Sequence, residues 1–231
     1  MIIDSDRLKG VGAAHVADAL TKLALPKRFA RPETKPAFAI QGLVVGRALP
    51  AKHFGSVDVF LAAFEHAAPG DVLVVDNEGR LDEGCLGDLI TAEAKLAGLA
   101  GIVIHGAHRD TAQLREIGLP VWSLGCIPYG PTVLRAPTGV PVMLGDAIVT
   151  RDDVVIADED GVIFMEAAHT DKVIAAALEI ARREEKQRAA MVSGRTLRDQ
   201  LKFHEFQAAR EKNPTLTFRE HINKVRGAVE T

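Results

Sequence analysis

Cysteine is scarce in this chain: there are two in 231 residues, Cys85 and Cys126. They show no CxxC spacing, which removes a disulfide framework and a structural zinc site and leaves free thiols suited to a reducing compartment. A surplus of charge is missing too. The 28 Lys and Arg stand against 31 Asp and Glu, for a net charge of −3 and a pI near 6.2, so there is no overall basic footprint for nucleic acid or an anionic membrane. No uninterrupted apolar run is long enough to cross a bilayer, and the "IIDSDRLKG" that follows Met1 lacks the charged and apolar regions of a signal peptide. The expectation is a cytoplasmic protein whose partners are metabolites or proteins, with no nucleic acid and no membrane. The glycine signatures of Rossmann and P-loop nucleotide sites are absent. No lysine falls in an apolar strand, where a lowered pKa would make it a Schiff-base nucleophile; Lys95 sits within a helix pattern.

The chain does have apolar residues, 47% of the total, enough to bury one full domain with an appendage. Residues 10–25, "GVGAAHVADALTKLAL", carry apolar positions at helical spacing until Pro26 stops them. Strand and helix patterns then alternate. "AFAIQGLVVGRAL" reads as β, "VDVFLAAFEHAAPG" as a helix, "DVLVVDN" as a buried strand, and residues 88–98 as a helix. "AGIVIHG", "TAQLREIG" and "LPVWSLG" follow as strand, helix and strand. This is α/β organisation. Beyond Pro128 the β-branched, Pro- and Gly-punctuated "VLRAPTGVPVMLGDAIVTRDDVVIADEDGVIFM" predicts a strand-rich half with a turn at "DEDG". From about His169 a charged amphipathic helix runs to Ser193-Gly194, with the glycine as C-cap. The remainder is polar and helical in pattern, broken at Pro214, and has too few apolar residues for a core of its own. We therefore expect an α/β domain over residues 1–192 and a helical tail over 193–231 that packs on a neighbouring subunit.

The segment "GDLITAEAKLAGLAGIVIHGAHRD" holds Asp88, then 20 residues, then Arg109-Asp110. Helix, turn and strand fit that interval and would return both ends of the segment to one edge of the sheet, where open α/β sheets bind ligands. The amides of Leu89 and Ile90, in the first helical turn, are donors for a carboxylate. Arg109 offers a planar fork for a carboxylate or an enolate oxygen, Asp110 a hard anionic ligand for Mg2+ or Mn2+, and Asp88 a hold on a water. Taken singly, each has a plainer reading: Asp88 as a helix-start acid, Arg109-Asp110 as a solvated loop pair, and the glycines as turn and cap residues.

Over "GDVLVVDNEGRLDEGCLGDLITAEAKLAGLAGIVIHGAHRDTAQLREIGLPVWSLGCIPYGP", and again over "VPVMLGDAIVTRDDVVIADEDGVIFM", the chain resembles the RraA-like family, which holds regulators of ribonuclease E and metal-dependent pyruvate aldolases. The resemblance covers roughly residues 10–190. It implies an α/β sandwich of the swivelling β/β/α type with a long C-terminal helix, assembled as a homotrimer or homohexamer. It also implies a divalent-metal aldolase that cleaves a 4-hydroxy-2-oxo acid, such as 4-hydroxy-4-methyl-2-oxoglutarate or 4-carboxy-4-hydroxy-2-oxoadipate, to pyruvate, with oxaloacetate decarboxylation as a side activity. In that scheme Asp110 ligates Mg2+ or Mn2+ and Arg109 binds substrate and enolate. The Gly87 turn with the Leu89 and Ile90 amides holds the pyruvyl carboxylate, and Asp88 orients a water. A glutamate from an adjacent subunit's long helix, Glu185 ahead of Glu184, completes the site. The alternative is a non-enzymatic regulator that binds ribonuclease E or a helicase. The chain departs from the family at His105 and His108, where an acidic or amide residue and a small apolar one are usual, and at Arg151-Asp152-Asp153, where a Pro-Gly-Asp turn is common.

Overall fold

The computed structural model describes residues 8–130, 140–145 and 147–225. By its contacts the chain divides into two compact units, one made of the residues up to Ala14 with Pro26–Asp171, the other of His15–Leu25 with the residues from Lys172 onward. The opening helix α1 (Ala13–Lys22) contributes to both.

In chain order the first unit carries β1 (Arg28–Phe29), β2 (Lys35–Pro36), β3 (Val44–Lys52), α2 (Asp58–Phe64), β4 (Val72–Gly84), α3 (Asp88–Leu96) and β5 (Gly101–His108). After these come α4 (Thr111–Ile117), β6 (Val121–Ser123), β7 (Gly125–Cys126), β8 (Val142–Leu144), β9 (Ala147–Val149), β10 (Asp153–Ala157) and β11 (Val162–Glu166). Among the described residues the main sheet runs β1-β11-β10-β3-β4-β5-β6-β2, with β7 also pairing β5. Strands β3, β4, β5 and β6 are parallel neighbours, joined through α2, α3 and α4. Their apolar runs are explained by burial on both faces. Leu73, Val75, Ile102 and Ile104 pack with Phe60, Ala94 and Leu114 of the helices. Val72, Val74 and Val103 pack on the other face with Trp122, Phe164, and Val142 and Leu144 of the β8–β9 hairpin.

The strand-rich half forms as the turn chemistry suggests. β10 and β11 are an antiparallel hairpin, closed where the Asp158 amide donates to Gly161 O (3.1 Å) and the Asp160 amide to Asp158 Oδ1 (2.9 Å). The Arg151-Asp152-Asp153 departure still gives a turn: the Asp153 amide donates to Thr150 O (3.3 Å), and the Thr150 amide to Asp153 Oδ2 (2.8 Å).

One strand outruns its sequence pattern. The apolar run of β4 ends near Asn77, yet the strand continues to Gly84 through polar residues. Glu78 and Gly79 take left-handed φ values of 55° and 72°, and the Glu78 amide is held by Asp76 Oδ1 at 2.9 Å. Pairing passes from Asp76↔His105 to Arg80↔Gly106 to Gly84↔Ala107. β5 therefore advances one residue for every four of β4. The surplus bulges out, and Gly84 finishes level with the end of β5.

In the second unit, α5 (Thr170–Val192) ends beside Gly194 (φ +94°), whose amide donates to Met191 O. Three short helices follow, α6 (Leu197–Gln200), α7 (Phe203–Lys212) and α8 (Phe218–Val225), with Pro214 between the last two. Aliphatic residues are few in this stretch, but its rings gather. Phe203, Phe206, Phe218 and His221 bring their rings to centroid separations of 5.0–6.2 Å, and His221 Nε2 lies 2.8 Å from Leu201 O. A few aromatic rings bury enough surface to order helices that aliphatic content alone would not.

Candidate functional site

The early end of α3 and the late end of β5 are laced together. Cys85 N donates to Ala107 O (3.0 Å) and Arg109 N to Leu86 O (3.0 Å). The Asp88 amide points at Asp110 Oδ2, 3.4 Å away. Asp88, Arg109 and Asp110 are thus brought to one place, at the edge where the parallel strands end. Glycines make the approach possible. A Cβ on Gly84 would sit 2.9 Å from Arg109 Cβ; one on Gly87 would run into Asp110 Oδ2 and lie 2.9 Å from Arg109 Cγ; and one on Gly130 would strike Arg109 Nη1. The Gly84 amide also donates to Tyr129 O (2.8 Å), which seats residues 129–130 beside the guanidinium.

Asp110 stands at φ 60°, ψ 37°, a left-handed conformation, at the start of α4. A non-glycine residue there costs free energy, and aspartate bears it better than most. Such strain concentrates at functional positions. Arg109 Nε is 3.2 Å from Asp110 Oδ2, an ion-pair contact whose N–H is not aimed well enough for a hydrogen bond. About a third of each side chain remains exposed, 37% for Arg109 and 34% for Asp110. The amide of Leu89 is met by Asp88 Oδ1 at 2.7 Å, so an incoming carboxylate would have to exchange with Asp88 at that donor. Ile90 turns its side chain into the core, while Leu89 is 78% exposed.

The histidines near the site divide. His108 is buried, with Nδ1 2.8 Å from Ser123 Oγ and Nε2 2.8 Å from Thr111 Oγ1; both ring nitrogens are taken, and burial pulls its pKa below the usual imidazole value. It fixes the end of β5 to α4 and β6. His105 lies under Gly79, its Nδ1 3.9 Å from Asp76 Oδ1. Burial works to raise the Asp76 carboxyl, but His105 and the Glu78 and Met143 amides outweigh it and hold the group below the ordinary carboxylate range. Cys85, fully buried, has its thiol pushed well up by desolvation and is inert. Glu184 and Glu185 belong to the second unit. There Glu184 Oε2 lies 3.0 Å from His15 Nε2, and Glu185 pairs with Arg188 on an exposed face. The residues missed from the sequence are Gly84 and Gly130, which clear room for Arg109, Tyr129 beside it, and the Ser123 and Thr111 partners of His108. Contacts between distant segments define them, and local pattern carries no signal for these.

No three His, Cys, Asp or Glu side chains converge as a ready-made metal cage among the described residues. The donors at the edge are the part-exposed carboxylates of Asp110 and Asp88. One or two hard oxygen ligands, with water and substrate filling the remaining positions, suit Mg2+ or Mn2+ and not a thiolate- or imidazole-seeking ion.

With this geometry in view, the chain belongs to the RraA-like family (Aldolase/RraA), whose model matches residues 13–164. It is 30% identical over 115 residues to a Halalkalibacterium halodurans protein that carries the provisional name 4-hydroxy-4-methyl-2-oxoglutarate aldolase, a match covering 49% of this chain and 55% of that one. It is also 30% identical over 128 residues to protein DlpA of Legionella pneumophila, covering 54% of this chain and 21% of that one. The matches thus span about half and about a fifth of these relatives. Among solved structures, Streptomyces coelicolor RraAS2, described as an unusual member of the RNase ES inhibitor RraA family, superposes with a TM-score of 0.70 at 28% identity, covering 81% of this chain and 98% of that one. The α/β fold with its mixed sheet and long C-terminal helix is the fold of this family. Among the described residues no helix is long and apolar enough to cross a membrane.

Proposed function

We propose that the chain is a divalent-metal-dependent lyase that cleaves a 4-hydroxy-2-oxo acid to pyruvate and a second carbonyl compound. The observation that carries this reading is the strained, part-exposed Asp110 in contact with Arg109 and facing the Asp88 amide across a turn kept open by glycines. Asp110, assisted by Asp88, would hold the Mg2+ or Mn2+; when bound, the ion supplies a Lewis acid that opposes negative charge on the 2-oxo oxygen. The substrate carboxylate sits at the amino end of α3, against the Gly87 turn and the Leu89 and Ile90 amides. A water oriented by Asp88 takes the C4 hydroxyl proton. The C4–O electrons form the new carbonyl, the C3–C4 bond breaks, and its electron pair passes to the pyruvyl enolate. Arg109 faces that enolate as a fixed planar cation. C3 then takes a proton from water to give pyruvate. Loss of CO2 from oxaloacetate leads to the same enolate, which makes decarboxylation a side reaction.

Of the two long-helix glutamates, Glu185 is the one assigned to complete a neighbouring copy's site in a trimer or hexamer: it and its partner Arg188 are about two-thirds exposed (66% and 65%), whereas Glu184 is held by the more enclosed His15. Mixing Asp110→Ala with Glu185→Ala protein would then restore roughly one site in four under random cyclic assembly. The direct test of the reading is Mg2+-dependent pyruvate release across a panel of 4-hydroxy-2-oxo acids. Release that chelation abolishes and Mg2+ or Mn2+ restores is the expected result. Release from none of them would favour the regulator, to which RraAS2 is the relevant likeness.

A further inference from the structure

A side-chain hydrogen bond spans the Arg109-Asp110 dipeptide. His108, the last residue of β5, and Thr111, the first of α4, flank it, and His108 Nε2 lies 2.8 Å from Thr111 Oγ1. The ring is itself anchored to β6, with Nδ1 2.8 Å from Ser123 Oγ, and the His108 carbonyl accepts from the Ile127 amide (2.9 Å). These bonds have a direction. The Ser123 hydroxyl donates to Gly125 O (3.2 Å), so His108 Nδ1–H donates to Ser123 Oγ and the bare Nε2 accepts from the Thr111 hydroxyl. Burial, which lowers the His108 pKa, keeps the ring in that neutral form. The bridge encloses a strained residue. Asp110 stands at φ 60°, ψ 37°, a backbone that a non-glycine residue keeps only where its surroundings hold it there. Relaxation to a right-handed φ would turn the residue by about 120° about N–Cα. Its carboxylate would then leave the bare Gly87 turn on which it packs and the Arg109 Nε that lies 3.2 Å from it.

We infer that His108 and Thr111 are positioning residues: the hydrogen bond between them holds Asp110 left-handed and so aims its carboxylate for the metal. This rests on the aldolase reading above, in which Asp110 is the metal ligand. The groups that orient a ligating side chain govern metal affinity nearly as strongly as the ligand itself. Ser123 takes part at one remove, because it fixes which nitrogen of His108 is left to accept from Thr111.

The experiment measures the Mn2+ affinity of the full-length protein by electron paramagnetic resonance, per folded molecule. A second readout is exchange of the pyruvate methyl protons with D2O, followed by NMR at limiting Mg2+, which needs only the pyruvyl end of the reaction. Thr111→Val removes the hydroxyl and keeps the shape; Thr111→Ala removes it without crowding the ring. Both should bind Mn2+ about tenfold more weakly, and exchange should fall with the affinity. Thr111→Ser, which keeps the hydroxyl, should match the wild type in both. Arg28→Met, which breaks the buried pair with Asp153 in the antiparallel half of the sheet, should lose stability in urea and keep its Mn2+ affinity. Wild-type affinity in Thr111→Ala overturns the inference and leaves the aldolase standing, since a loss confined to Thr111→Val is crowding. Weakened binding in Thr111→Ser, or an equal loss in Arg28→Met, overturns it as well, by assigning the effect to the methyl group or to stability. A wild-type protein without metal-dependent exchange overturns the reading on which the inference rests.

Discussion

Arginine and aspartate meet at both ends of the parallel strands of this sheet, and the two settings differ. Where β4 begins, Arg28 grips Asp153 and Arg47 grips Asp71, with each aspartate side chain 3–4% exposed and bound by backbone amides as well. Where β5 ends, Arg109 and Asp110 are each about a third exposed, their contact is poorly directed, Asp110 is left-handed, and glycines clear the space around them. A saturated pair in an ordinary backbone has nothing left to offer a ligand. An unsaturated pair in a strained one has unused donors and acceptors, and its strain needs a reason. The same two residue types thus serve structure at one end and, on the reading proposed here, chemistry at the other.

That contrast breaks most sharply at Asp110. Asp110→Ala is expected to lower Mg2+-dependent pyruvate exchange by about a thousandfold, roughly 4 kcal/mol. Asp110→Asn, which tolerates the left-handed backbone, should lose nearly as much while matching the wild type in unfolding; near-normal exchange in both would take Asp110 out of the site. At the other end the effect should fall on stability. Arg28→Met leaves the Asp153 carboxylate buried beside an apolar group, at a cost on the order of 3 kcal/mol, read by urea unfolding. A midpoint unmoved from wild type would show that the buried pair is dispensable.

Gly87→Ala tests the cradle. Gly87 has an extended backbone (φ −141°) that any residue adopts, so the whole penalty is steric. Displacing Asp110 and Arg109 should cost about 2 kcal/mol, and exchange should fall while the secondary structure seen by circular dichroism stays. Full activity would mean that the close approach is unimportant. The smallest effect concerns pH and the buried polar groups. His53, stacked on Phe60 and bonded through Nδ1 to Asn77 Oδ1 (2.8 Å), has its pKa lowered from 6.5, chiefly by burial. A depressed folded pKa means that the unfolded chain takes up the proton first. This contribution is therefore fully present above pH 6.5 and is lost as pH falls from there through the folded value. Unfolding free energy should decline over that window, and His53→Phe should flatten the decline. An equally steep fall in the variant would assign it to other groups.

Much of the fold was legible because its signals are local. The apolar runs of β4 and β5, the helical spacing of α1 and the DEDG turn each sit within a few residues, and Asp88 with Arg109-Asp110, whose spacing helix plus strand can close, was singled out by the family resemblance. What stayed hidden depends on contacts across the chain. "NEGRLDEG" has no strand pattern, yet it pairs with β5 because Glu78 and Gly79 turn left-handed. Gly84, Gly87 and Gly130 look like turn glycines until Arg109 lies against them. The rings of the tail are thinly spaced in sequence and meet only where α7 and α8 come together.

If the pair at the end of β5 is kept for chemistry and not for stability, Arg109→Met, assayed for pyruvate methyl exchange at a measured folded fraction, separates the two roles. Loss of this part-exposed contact should change the unfolding free energy by less than about 1 kcal/mol. The Mg2+-dependent exchange rate per folded molecule should fall by about a hundredfold, on the order of 3 kcal/mol. A variant destabilised by several kcal/mol whose folded fraction still exchanges at the wild-type rate would make the pair structural.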